Sequence, residues 1–123
     1  MTKNSLSQPA DLRSTLLAER DTAAAGAATV ARDLDQVKAA STLVATDDEH
    51  DPEGATIAFD RAQLTAVLDQ ARRRVAELDD ALGRVSDGTY GTCTQCGEPI
   101  AAERLVARPA AATCIACASS PVN

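Results

Sequence analysis

The chain has 123 residues, with 12 basic and 18 acidic side chains, a net charge of −6, one Phe, one Tyr and no Trp. Its hydrophobic share of 45% is largely alanine, which excludes a deep aromatic core and favours one small module of paired helices stapled by a metal. The acidic excess repels phosphate backbones, so DNA or RNA is not expected as the main ligand, and no apolar run reaches the ~18 residues of a membrane span.

Residues 1–8 are polar and are expected to fray. They carry no apolar stretch of the kind that marks a secretory signal, so a reducing, cytoplasmic setting is expected, in which paired cysteines serve as ligands before they serve as disulfides. Pro9 suits the first turn of a helix, where its missing N–H costs nothing. From there to about Thr46 only Gly26 interrupts a helical pattern, at a cost of about 1 kcal/mol relative to alanine. Leu16, Arg20, Ala23, Ala27, Val30, Leu34, Val37, Ser41 and Val44 alternate steps of four and three and form a seam.

The stretch TDDEHDPEG breaks that pattern, with five acidic residues in nine. Asp51 and Pro52 read as an N-cap followed by a proline in the first helical position. A second helix is expected to about Ser86, with Leu64, Leu68, Ala71, Val75, Leu78, Leu82 and Val85 as its seam. Gly88 is free to take the left-handed conformation that ends it. Two seams of similar length joined by one short turn predict an antiparallel hairpin with an arm on the order of 50 Å. A compact bundle or a homodimeric coiled coil is the competing use of the same seams.

Cys93, Cys96, Cys114 and Cys117 are spaced C-x2-C-x17-C-x2-C. Two intervening residues let one tight turn aim both sulfurs of a pair at a single tetrahedral Zn2+, and Gly97 permits the positive φ such a turn needs. Four thiolates close the coordination shell, which makes the metal structural and not catalytic; disulfides and free thiols are the alternatives. Between Asp87 and Ala118 the formal charges sum to −1 and Tyr90 is the one aromatic, so direct, sequence-specific DNA binding by this module is not expected. The expected organisation is a flexible terminus at 1–8, a hairpin at 9–86 with its tip about 47–56, a zinc finger at 87–118 and a flexible tail at 119–123. The fold class is mostly α, a long antiparallel coiled-coil hairpin with a small C-terminal four-cysteine finger.

The segment DGTYGTCTQCGEPIAAERLVARPAAATCIAC resembles the zinc finger of the DksA/TraR family. The elements that carry the likeness are YGxC, CxxCG, an isoleucine three residues beyond that glycine, RL, ARP and CIxC. FDRAQL is similar to the family's coiled-coil tip. The resemblance implies an RNA polymerase-binding transcription regulator that inserts its tip into the secondary channel and modulates initiation through open-complex stability. It implies tip contacts at Phe59, Asp60, Arg61 and Ala62. Ile57 stands where better-known members carry a first aspartate, and the acids at Asp47, Asp48, Glu49, Asp51 and Glu53 either compensate or form a solvated turn.

By the same resemblance, basic residues that bind guanosine tetraphosphate would fall at Glu77, Arg108 and Ala118. Only Arg108 keeps its charge, as a phosphate or polymerase contact or as a brace paired with a carboxylate, so synergy with that nucleotide is expected to be weak or absent. His50 and the run Arg72–Arg74 read as solvated surface. The chain is expected to be a monomer and not an enzyme: no nucleophile–base pair, phosphate-cradling loop or open metal site is legible. A transcript-cleavage-type factor, which would hold a second Mg2+ with tip carboxylates, and a zinc and coiled-coil adaptor without polymerase binding are the alternatives.

Overall fold

The computed structural model of the chain describes residues 9–44 and 52–120. Its elements are α1 (Pro9–Val44), α2 (Pro52–Asp87), α3 (Ala102–Ala107) and α4 (Ile115–Ser119), with one isolated antiparallel bridge between Thr92 and Pro99. Both long helices begin at the prolines expected to start them. Asp47, Asp48, Glu49, His50 and the expected cap Asp51 lie outside the described residues, as do residues 1–8 and 121–123. None of the helices is long and apolar enough to cross a membrane.

The chain divides into two compact units, Met1–Asp21 with Val75–Asn123, and Thr22–Arg74. In the first, the start of α1 runs antiparallel to the end of α2. Arg13 Nη2 donates to Ser86 Oγ at 2.9 Å, and Arg20 Nε to Asp79 Oδ1 at 2.9 Å, so a rise of seven along α1 meets a fall of seven along α2. Leu12, Leu16, Leu78 and Ala81 are buried there, each leucine contributing about 1.5–3 kcal/mol of apolar burial. Arg20 holds its proton more firmly than a free guanidinium because it bonds and pairs with Asp79.

The second unit is thinner. Leu34 and Leu68 are its buried leucines, and Ala23, Ala27, Val30, Val37, Ile57, Leu64 and Ala71 are half-buried along the two seams. The seam positions from Leu16 to Val37 and from Leu64 to Val85 are therefore all buried or half-buried, as the four-and-three spacing requires. Thr29, Thr42 and Thr65 turn their hydroxyls back onto the carbonyls of Ala25, Lys38 and Arg61 at 3.2, 3.0 and 2.7 Å, which satisfies a polar group on a helix surface. α1 continues without a break through Gly26.

α2 stops at Gly88, whose φ of +79° is closed to most L-residues. The Gly88 N–H bonds to the Val85 carbonyl at 3.3 Å and the Thr89 N–H to the Arg84 carbonyl at 2.9 Å. These two bonds form a Schellman cap, which satisfies carbonyls that the helix end would otherwise leave open. The chain leaves this cap directly into the cysteine-bearing segment. α4 extends through Ser119, one residue into the stretch expected to be a flexible tail.

Candidate metal centre

The first cysteine pair sits in a tight knuckle. The Cys93 N–H bonds to the Glu98 carbonyl at 2.8 Å and the Gly97 N–H to the Cys93 carbonyl at 3.0 Å. Gly97 adopts φ +77° to close the turn, the conformation expected from its place after the pair. The second pair opens α4: Cys114 is its N-cap and Cys117 lies in its single turn. The Ile100 N–H bonds to the Gly91 carbonyl at 2.7 Å, and the Ile100 side chain is buried.

The four sulfurs lie within 4.8 Å of one another, and none is in a disulfide. Sγ of Cys96 is 3.8 Å from Sγ of Cys114. A tetrahedral Zn2+ with bonds of about 2.3 Å requires sulfurs about 3.8 Å apart, so the donor set fits the ion in both chemistry and spacing. The site suits one structural Zn2+, which offsets half the charge of the four thiolates and locks the two knuckles together when bound.

The thiols are unlike one another. Backbone N–H groups of Cys96, then Cys114 and Gln95, bring the Cys93 thiol down to about 6. The N–H of Glu98 pulls Cys96 down, but neighbouring thiols and burial outweigh it, and the group is raised on balance. Cys117 is pushed up to about 12, first by Cys114 and then by Cys93. One sulfur is prepared as a thiolate by main-chain dipoles, while crowding keeps others protonated until a cation arrives.

Residues outside the coordination shell position the second pair, and here the structure adds to the sequence reading. The Tyr90 hydroxyl donates to the Pro109 carbonyl at 2.6 Å, and burial raises its pKa. Arg84 Nη2 reaches the carbonyls of Ala110 and Ala111 at 3.3 and 3.5 Å. Arg104 Nε donates to the Thr113 carbonyl at 2.8 Å, and the Thr94 N–H to that of Ala112 at 2.9 Å. Tyr90 and Arg104 stand in the YGxC and RL elements, so a signal for both was present. Arg84, on the last turn of a helix, gave none.

The other expected site residues are placed as follows. Phe59, Asp60, Arg61 and Ala62 follow one another on α2 and are exposed, Phe59 at 67%. Ile57 is half-buried on the seam side. Arg108 is exposed and caps α3, its N–H bonding to the Arg104 carbonyl at 2.7 Å. Its guanidinium makes no ion pair among the described residues, so the carboxylate brace, the alternative to a phosphate or polymerase contact, is not seen there. Glu77 and Ala118 are exposed, as are Arg72 and Arg73, whereas Arg74 is half-buried.

Comparison with known proteins finds likenesses over the finger and over the fold. Residues 88–121 match the prokaryotic dksA/traR C4-type zinc finger. The chain is 48% identical over 52 residues to the RNA polymerase-binding transcription factor DksA of Caulobacter vibrioides, covering 42% of this chain and 37% of that protein. It is 38% identical over 62 residues to General stress protein 16O of Bacillus subtilis, covering 50% and 38%. The matched stretches thus span little more than a third of these curated relatives. Transcription factor DksA2 of Pseudomonas aeruginosa has the same fold, with a TM-score of 0.75 and 24% identity over 95% of this chain and 88% of that one.

Proposed function

We propose that this chain, a DksA/TraR family member by its zinc finger, binds RNA polymerase, enters the secondary channel with the end of its helical pair that carries Phe59–Ala62, and modulates initiation through open-complex stability. The observation that carries the reading is one chain holding both parts: a four-thiol finger of this family and, N-terminal to it, an antiparallel helical pair in the fold of a DksA2. Neither part has chemistry of its own. A closed metal shell leaves no position for water or substrate, so the activity is one of contact.

The contact residues on this reading are Phe59, Asp60, Arg61 and Ala62. All are exposed, which leaves them free for a partner. Asp60 offers a carboxylate to cationic groups and Phe59 an apolar face beside it. Ile57 has its side chain committed to the seam, half-buried. A polar group there would lose packing, so the departure from two tip aspartates is consistent with a hairpin that trades one acid for helix contact. Arg108, exposed and without an ion pair among the described residues, is free to meet a phosphate or an acidic polymerase surface.

A photo-crosslinking residue placed at Phe59 or Asp60 and mixed with purified RNA polymerase tests docking and direction together. Crosslinks to polymerase segments lining the secondary channel are expected. Asp60→Asn should weaken the effect on open-complex lifetime while leaving binding through the finger in place. Absence of any crosslink or co-purification with polymerase overturns the reading.

A further inference from the structure

We infer that Arg84 is a positioning residue for the metal centre, tying the last turn of α2 to the second cysteine pair through the main-chain carbonyls of Ala110 and Ala111. The run Pro109–Thr113 forms no helix or strand, yet each of its five carbonyls accepts a hydrogen bond from outside it. The donors are Tyr90 to Pro109, Arg84 to Ala110 and Ala111, Thr94 to Ala112, and Arg104 to Thr113. Cys114 follows at once. A segment without regular structure, held carbonyl by carbonyl, delivers the second pair of ligands to the first.

Arg84 differs from the other donors because it acts at both ends. Its own carbonyl receives the N–H groups of Thr89 and Tyr90 at 2.9 and 3.2 Å, fixing the turn that aims the Tyr90 hydroxyl at Pro109. Its guanidinium meanwhile reaches the two following carbonyls. It is also the one donor that belongs to a long helix, anchored nearby by the buried Leu78 and Ala81. Freedom of Pro109–Thr113 is the freedom that misplaces Cys114 and Cys117, so the guanidinium restrains ligand geometry without touching metal. By thermodynamic reciprocity, metal bound at the cysteines steadies the turn after α2.

The test uses the full zinc-loaded chain and follows zinc transfer to a chromogenic chelator. Arg84→Ala removes the guanidinium but keeps the main-chain carbonyl. Release is expected to accelerate about tenfold, the lower end of the effect of outer-shell partners, because the two bonds are long. Arg84→Lys, which retains a cationic donor, should recover part of the loss. Tyr90→Phe, a milder change that keeps the ring, should shift release in the same direction. Leu34→Ala is the control: it removes a buried leucine from the other compact unit, which holds neither Arg84 nor the cysteines, and should release zinc at the unmodified rate. Amide exchange at Thr89 and Tyr90 should quicken on zinc removal in the unmodified chain, and this response should shrink in Arg84→Ala. Unchanged release in both Arg84→Ala and Tyr90→Phe overturns the inference, and so does equal acceleration by Leu34→Ala.

Discussion

Leu16 and Leu17 are neighbours of identical chemistry in α1, and their substitution by alanine should have very different effects. Leu16 is 0% exposed and Leu17 43% exposed. Leu→Ala removes three carbons, worth about 2.4 kcal/mol at ~0.8 kcal/mol each when fully buried. At Leu16 the void adds roughly 1 kcal/mol, from ~24 cal/mol per Å3 over some tens of Å3, for a total of about 3–4 kcal/mol. At Leu17 little more than half the transfer term is at stake and no closed void forms, so about 1 kcal/mol is expected. With an unfolding entropy of about 2.1 cal/mol/K per residue, 1 kcal/mol corresponds to roughly 4 °C in a chain of this size. Thermal unfolding followed by far-UV circular dichroism should therefore show Leu16→Ala melting on the order of 10–15 °C lower, and Leu17→Ala about 4 °C lower. Equal shifts for the two would refute the seam and the packing argument built on it.

Zinc uptake near neutral pH should release protons, because Cys117, at about 12, and Cys96, raised from its ordinary value, must ionise to bind; zinc titration with a pH indicator and no net proton release would contradict this. Cys93, at about 6, is already ionised there, so affinity should fall more steeply once the pH drops through its value. In the zinc-free chain the signs oppose. The lowered Cys93 contributes stability that is lost as pH falls through about 6, whereas the raised Cys117 contributes stability below its ordinary value of 9.0 that is lost as pH rises toward about 12. Alkaline pH should thus loosen the zinc-free finger and spare the zinc-loaded one, as read by urea unfolding. Gly88→Ala forces a Cβ into φ +79° and should cost about 1 kcal/mol in the same assay, whereas Gly26→Ala, mid-helix with open space around it, should stabilise by a similar amount.

The hairpin was legible because its information is periodic and local. Leu64, Leu68, Ala71, Val75, Leu78, Leu82 and Val85 announce one helix face, Pro9 and Pro52 its permitted starts, and Gly88 its stop; each follows from backbone geometry that a single sequence displays. The metal centre was legible because a tetrahedral ion imposes its own spacing on Cys93, Cys96, Cys114 and Cys117. The short helices α3 and α4 were not foreseen. With six and five residues, they have too few turns to show a period, and their stability comes from packing and from the metal.

Least legible were the bonds that join finger to helix, and the physical reason is instructive. A hydrogen bond from Arg84 to the carbonyl of Ala110 spans 26 positions, and its acceptor is main chain, identical at every residue. No side-chain pattern can mark where such a bond will land. The donors alone can be marked, and two of them were: Tyr90 and Arg104 fall in the short elements that carried the family resemblance, as does Pro109, the acceptor for Tyr90. Those elements therefore encode a contact between the two ends of the finger. A chain with one phenylalanine, one tyrosine and no tryptophan cannot hold its second knuckle by apolar burial alone, since Ala110 and Ala111, though buried, remove little area from water. Polar side chains clamped on buried carbonyls do that work instead, each satisfying a group whose desolvation would otherwise cost about 1–3 kcal/mol. The cysteines then complete a geometry that the clamps have already narrowed.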